Sequence, residues 1–253
     1  MRVAYALWYF GSVLFNSVSW AEIDRLRERC GQCSQRSLEA AAQDFAGVFA
    51  ESFESLVLAR VFAVLPLKVL PTREHAFALQ FAEAGASLSP DTPVLTLLGT
   101  RGREAAWNSR DASQGHLAIP LLDQRFVQGI PMISKLLADL DVDLRGLDLG
   151  QPIITRQMLG GRNGTFYVAD AQTACDDQSR FIIPARDFVA AQQVRTVFGM
   201  GGAYIDGTLI VCILFTREEL DRATVDHYPS LISNFKMVTS KVQVAGAIFD
   251  ASA

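Results

Sequence analysis

Val194–Phe215, VRTVFGMGGAYIDGTLIVCILF, decides the fold. Two runs rich in β-branched and aromatic side chains, Val194–Phe198 and Leu209–Phe215, flank Gly199–Gly202 and an Asp206-Gly207 pair. Asp-Gly between apolar runs is a hairpin signal, because a tight turn between twisted strands needs residues that tolerate positive φ. A hairpin makes its two strands antiparallel. The chain also lacks a strand–GxGxxG–helix unit, so the sequence argues against a doubly wound parallel sheet. Gly199-Met200-Gly201-Gly202 lacks the Lys-Ser/Thr ending of a phosphate loop and reads as a tight connection between the strands.

Outward from this hairpin, Leu56–Leu65 reads as a strand stopped by Pro66, and Val94–Leu98 as another that ends in a Gly99–Gly102 turn. His116–Leu122 and Thr165–Val168 are shorter extended runs. Ser19 and Glu22 have the spacing of a capping box opening the helix AEIDRLRERC. Ser37 is placed to cap a helix whose Leu38, Ala41, Ala42, Phe45, Val48, Phe49 and Phe53 recur every three to four residues. Further helices are expected over Pro71–Ala84 and Pro131–Leu140. A long final helix is expected from a Thr216 cap towards Ile248, bending at Pro229. Asp141–Gly150 and Gly160–Gly164 read as turns, and Gln151–Met158 fits either strand or helix. This order implies an α+β fold, a mainly antiparallel sheet flanked by helices, with long N- and C-terminal helices.

At 253 residues, the chain is long enough to bury a core without a disulfide or metal staple. Hydrophobic residues make up 50% and charged residues 20%, an apolar surplus that suggests a face buried against another protein or a second copy. Net charge is −4, the pI is about 5.4 and the basic residues are scattered, which argues against a nucleic-acid partner. Arg2 followed by an apolar run and Ser19-Trp20-Ala21 imitates a signal peptide. The same stretch fits a buried N-terminal element. The first reading implies export with loss of residues 1–21, the second a cytoplasmic protein.

Candidate chemistry centres on Val94–Leu122, where a polar excursion holding Trp107, Asn108, Arg110, Ser113 and His116 lies between apolar runs. Trp107 offers a stacking face, Arg110 a fork for carboxylate or phosphate, and His116 a group titrating near neutrality. The alternative is structural, with Asn108, Arg110 and Ser113 serving loop backbone and Trp107 plugging the core edge. Arg195 is an outer ligand candidate, or an ion-pair partner of Asp170 or Asp187. Cys30-x-x-Cys33 has redox or zinc spacing, but no second ligand pair follows, and thiol chemistry could equally use Cys175. Asp176-Asp177 reads as solvated rather than metal-binding. No motif names a cofactor, and no GxSxG elbow supports a hydrolase.

The runs LTLLGTRGREAAWNSRDASQGHLAIPL, PMISKLL, FYVADA and FIIPARDFVAAQQVRTVFGMGGAYIDGTLIVCILFTR together resemble a GAF-like sensory domain, such as the N-terminal sensor region of bacterial PAS-containing histidine kinases. The likeness runs from about Ser37 to Ile248. It is most specific at Ala106–Arg110, Gly115-His116 with Ile119-Pro120, and Val197–Gly202. It implies a sensory domain over 37–253 behind an extension over 1–36. It further implies a pocket roofed by loops between the middle strands, and homodimerisation through terminal helices. No kinase, cyclase or phosphatase domain follows in this sequence, so the resemblance implies a separate signalling partner. The sequence thus reads as a non-enzymatic small-ligand-sensing or protein-binding module. The alternative is a GAF-fold thiol enzyme using Cys30 and Cys33, or Cys175.

Overall fold

A computed structural model of the chain describes residues 13–81, 88–113, 115–148, 154–155 and 163–250. The hairpin read from the sequence stands inside its main sheet. β7 (Thr196–Ala203) and β8 (Leu209–Thr216) pair antiparallel from Thr196↔Thr216 to Ala203↔Leu209, and Gly207 takes φ 92° in the turn. Gly199, Gly201 and Gly202 belong to β7 itself, not to a connection between strands. They mark close approach: a Cβ on Gly199 would sit 2.5 Å from the Cys212 carbonyl oxygen.

Around the hairpin, β1 (Leu56–Pro66), β2 (Pro93–Gly102), β3 (Ala118–Pro120) and β6 (Gly164–Val168) complete a six-stranded antiparallel sheet in the order β3-β2-β1-β8-β7-β6. Two short strands, β4 (Val142–Asp143) and β5 (Ile154–Thr155), form a separate ribbon. The expected turn at Gly99–Gly102 is instead strand. β2 continues to Gly102 across a bulge where Val61 faces Gly99 and Phe62 faces Leu97. Gly99 is required for helix packing: a Cβ there would lie 2.3 Å from the Ala42 carbonyl group.

Helices cover both faces. α1 (Trp20–Cys30) opens with the reciprocal Ser19–Glu22 capping box, and α2 (Leu38–Ser52) with the Ser37 hydroxyl accepting from the Ala40 amide at 2.9 Å. α3 (Thr72–Leu79) is shorter than expected, and the anticipated end at Ala84 lies outside the described residues. α4 (Gln124–Gln128), α5 (Pro131–Asp139), α6 (Arg145–Asp148) and α7 (Arg186–Ala191) follow. The single terminal helix of the sequence reading is instead two helices. Thr216 is the buried last residue of β8, its hydroxyl donating to the Ser55 carbonyl. Asp221 caps α8 (Arg222–Val225), and Pro229 starts α9 (Pro229–Val244). Proline without an amide suits a first turn and breaks an interior, so the chain restarts there rather than bends.

Period-2 alternation sorts the strand side chains between two apolar layers. Ala59, Val61 and Ala63 of β1, with Cys212 and Leu214 of β8, face a layer built from α1, α2 and α9. Phe15, Ile23, Leu26, Cys30 and Cys33 join that same layer, so the described part of the N-terminal extension packs into the core. Leu58 and Phe62 of β1, with Leu95, Leu97, Ile213 and Phe215, face the other layer, where α4, α5 and α7 lie. Arg60 is in phase with Leu58 and Phe62. Residues 1–12 of the leader-like run, Gly160–Arg162 of the glycine turn, and most of Gln151–Met158 lie outside the described residues.

Candidate functional site

A cavity of about 190 Å³ opens on the face that Arg60 shares with Leu58 and Phe62. Its floor is sheet: Leu58, Arg60 and Phe62 from β1, Leu95 from β2, and Ile213 and Phe215 from β8. Ile133 and Leu136 of α5 close one side, and Ile183 and Phe188 another. The excursion between β2 and β3 supplies Trp107, Gly115 and His116. An aromatic wall runs through Trp107, Phe188 and Phe215, with ring centroids 5.5 and 5.6 Å apart in edge-on pairs.

Among the described lining residues, two titratable groups break this apolar wall. The Arg60 guanidinium makes one hydrogen bond among the described residues, Nη2 donating to the Ser113 hydroxyl at 3.4 Å, while its Nε is buried without a hydrogen-bond partner. Among the described residues no carboxylate forms an ion pair with Arg60. Burial pulls its pKa below the usual arginine value. His116 is exposed as a residue, with its ring set against the cavity wall. Burial of its ring, and then the nearby Arg60 charge, hold its pKa below 6.5, so the neutral imidazole is favoured. Its backbone takes φ 43°, a left-handed conformation that side chains other than glycine adopt at a cost. Such strain clusters where loops clamp ligands.

The six residues singled out from the sequence do not converge on one spot. Trp107 and His116 line the cavity, and Ser113 touches it through Arg60. Ser113 also donates to the Gly115 carbonyl at 3.0 Å. Asn108 and Arg110 face a different, polar groove, shared with Arg36, Glu39, Gln43, Asp44 and Asp250. There the Asn108 side-chain oxygen accepts from the Gly102 amide at 2.9 Å, and Gln43 bridges the Thr100 and Asn108 carbonyls. Arg110 is paired with two carboxylates. Its Nε donates to Glu39 and its Nη1 to Glu74, and it lies 5.2 Å from the Phe249 ring centre. Burial pulls the Arg110 pKa down, but the Glu39 hydrogen bond and the charges of Glu39, Glu74 and Asp111 outweigh it and raise the value. Arg195 sits just before β7, outside the cavity lining, and pairs with Glu219 rather than with Asp170 or Asp187. The residue that sequence reasoning passed over is Arg60. Its signal was present, a charge in alternation with Leu58 and Phe62 on a strand bounded by apolar residues.

Cys30, Cys33 and Cys212 are buried and Cys175 is exposed, all as free thiols. Burial, then the neighbouring Asp44 charge, pushes the Cys33 thiol up to about 12, and burial raises Cys30 and Cys212 as well. The Asp176 carboxylate is occupied by the Gln178 and Arg180 amides and the Arg180 guanidinium. Among the described residues no cluster of three His, Cys, Asp or Glu side chains could hold a metal, and no helix is long and apolar enough to cross a membrane.

No protein-family model and no curated protein matches the chain. Among solved structures it is similar to the free methionine-R-sulfoxide reductase of Neisseria meningitidis in complex with its substrate, at 12% identity and a TM-score of 0.44, over 93% of this chain and 99% of that one. It is similar to the GAF domain of an Acinetobacter phosphoenolpyruvate-protein phosphotransferase, at 11% identity and a TM-score of 0.46, over 92% and 100% of the two chains. A phycocyanobilin-bound GAF domain from a cyanobacterial phytochrome is similar at 8% identity and a TM-score of 0.44, over 90% and 98%.

Proposed function

We propose that this protein is a GAF-like sensory module of bacterial signalling, non-enzymatic and cytoplasmic, with residues 37–253 as its sensing unit. A small molecule occupies the cavity beside Trp107 and His116. The observation that carries this reading is the cavity itself: an apolar chamber on the sheet face, lined in part by exposed His116, holding a guanidinium whose Nε has no partner. Ligand sites have this composition, mostly apolar walls with few placed polar groups.

The segment that walls the cavity also carries Arg110, which is tied to Glu39 on α2, while Glu39 accepts from the Asp250 amide at 2.9 Å. A ligand that shifts the 107–116 segment therefore pulls on α2 and the C-terminal strap. Binding biases such an equilibrium only through contacts that differ between its two states. Trp20 on α1 and Met237 and Val244 on α9 are exposed, which supports docking of the terminal helices with a second copy or a signalling partner. The thiol-enzyme alternative narrows to exposed Cys175, since burial holds Cys30 and Cys33 as unreactive thiols.

A thermal-shift screen of small apolar and amphiphilic fragments tests the reading. Several fragments should stabilise the wild-type chain, by about 2.7 kcal/mol at a hundredfold excess over Kd. Ile133→Trp, which fills the chamber, should abolish that stabilisation. No stabilising fragment, or fragments that act equally on the filled variant, would overturn the proposal.

A further inference from the structure

We infer that the cavity selects monoanionic carboxylates with an apolar or aromatic body, and that Arg60 is the anchor for the carboxylate. This deepens the proposed function and rests on it.

Arg60 is half-buried, and its Nε–H, buried against apolar side chains with no partner, is costly unless an acceptor meets it. The ion pairs of Arg110 are internal to the fold, whereas among the described residues Arg60 has the Ser113 hydroxyl alone as a hydrogen-bond partner. The Ser113 contact is long and occupies one N–H of Nη2, and the buried Nε–H has no hydrogen-bond partner. Nε and Nη2 together form one edge of the guanidinium fork, the geometry that a carboxylate accepts with both oxygens when it shares or displaces the weak Ser113 contact. His116, the other titratable group on the described lining, has its pKa lowered, which favours the neutral ring, so Arg60 is the cation of the described lining and one negative charge balances it. A phosphate monoester brings close to two charges and leaves one uncompensated.

Size and lining set the rest. An apolar cavity of about 150 Å³ holds one benzene ring. At about 190 Å³ this chamber takes a ring or short branched chain together with a carboxylate. The Trp107–Phe188–Phe215 wall offers edges and faces for an aromatic body.

The test is calorimetric titration of the full chain with phenylacetate, its neutral isostere phenylacetamide, and phenyl phosphate. Wild-type protein should bind phenylacetate about ten- to a hundredfold more tightly than the amide, the range for a charge-assisted hydrogen-bonded pair. Phenyl phosphate should bind more weakly than phenylacetate. Arg60→Met should lose that preference and accept the amide at least as well as the acid, while Arg60→Lys should keep part of it. Equal wild-type affinity for acid and amide overturns the inference but leaves the cavity a ligand site. Retention of the acid preference in Arg60→Met also overturns it. Binding of none of the three probes overturns both the inference and the proposed function. Foldedness of Arg60→Met is read independently: without ligand it should melt at or above the wild-type temperature, and a large loss would show Arg60 to be a structural residue.

Discussion

Two arginines, one in each of two cavities, behave in opposite ways, and the contrast separates architecture from function in this molecule. Arg110, 11% exposed at its side chain, meets Glu39 and the almost fully buried Glu74 and binds α2, α3 and the C-terminal strap together. Arg60, on the sheet face, meets one distant hydroxyl and otherwise apolar walls. A buried charge with its partners in place holds a fold together. One without them costs stability, which an anion from outside the chain can offset.

The largest expected effect tests the satisfied side of this contrast. Arg110→Ala strands two carboxylates, one of them 2% exposed, and should lower unfolding free energy by about 3–5 kcal/mol in a denaturant melt. A loss below about 1 kcal/mol would mean that the clamp is loose in solution. Next comes the helix–sheet contact behind it. Gly99→Ala drives a methyl into the Ala42 backbone and should cost about 1–3 kcal/mol by the same assay; a neutral result would place α2 farther from β2 than described.

The unsatisfied side predicts the reverse sign. Arg60→Met removes an unpartnered charge from apolar walls and should leave stability unchanged or raise it by about 1 kcal/mol. The smallest effect belongs to His116. Its folded pKa is depressed, so between that value and 6.5 the unfolded chain binds more protons than the native one. Its contribution to stability is therefore complete above 6.5 and is lost as pH falls through 6.5 towards the folded pKa. Subtracting His116→Gln melts from wild-type melts at a series of pH values isolates this slope from the other titrating groups. A slope of opposite sign would mean that an acid, not Arg60, faces the imidazole.

Much of the fold was legible because it is written locally. Alternating apolar residues and an Asp-Gly pair mark β7 and β8 and make the sheet antiparallel, while Ser19, Glu22 and Ser37 mark helix starts through their own backbone chemistry. Glycine misled in two places. At Gly99 and Gly199 it reads as a turn, yet it serves close approach of α2 and β8, a need that only the partner element reveals. Thr216 has the composition of a helix cap, but tertiary pairing with β7 and the Ser55 carbonyl draws it into a strand.

The candidate site was half legible for a related reason. The Trp107–His116 segment announces itself by composition. Whether its arginine is free depends on Glu39 and Glu74, which lie 71 and 36 residues away. Those distances decide that Arg110 is a clamp, and no local pattern carries them. Arg60 looks like one polar position in an apolar strand, and only the sheet order shows that it sits on a central strand facing a chamber.

The most direct test of this division is an arginine side-chain N–H correlation spectrum recorded while phenylacetate is added. The Nε–H resonance of Arg60, assigned by its absence in Arg60→Met, should move and saturate with the calorimetric affinity, while that of Arg110 stays fixed. Movement at Arg110 with Arg60 unchanged would contradict the account.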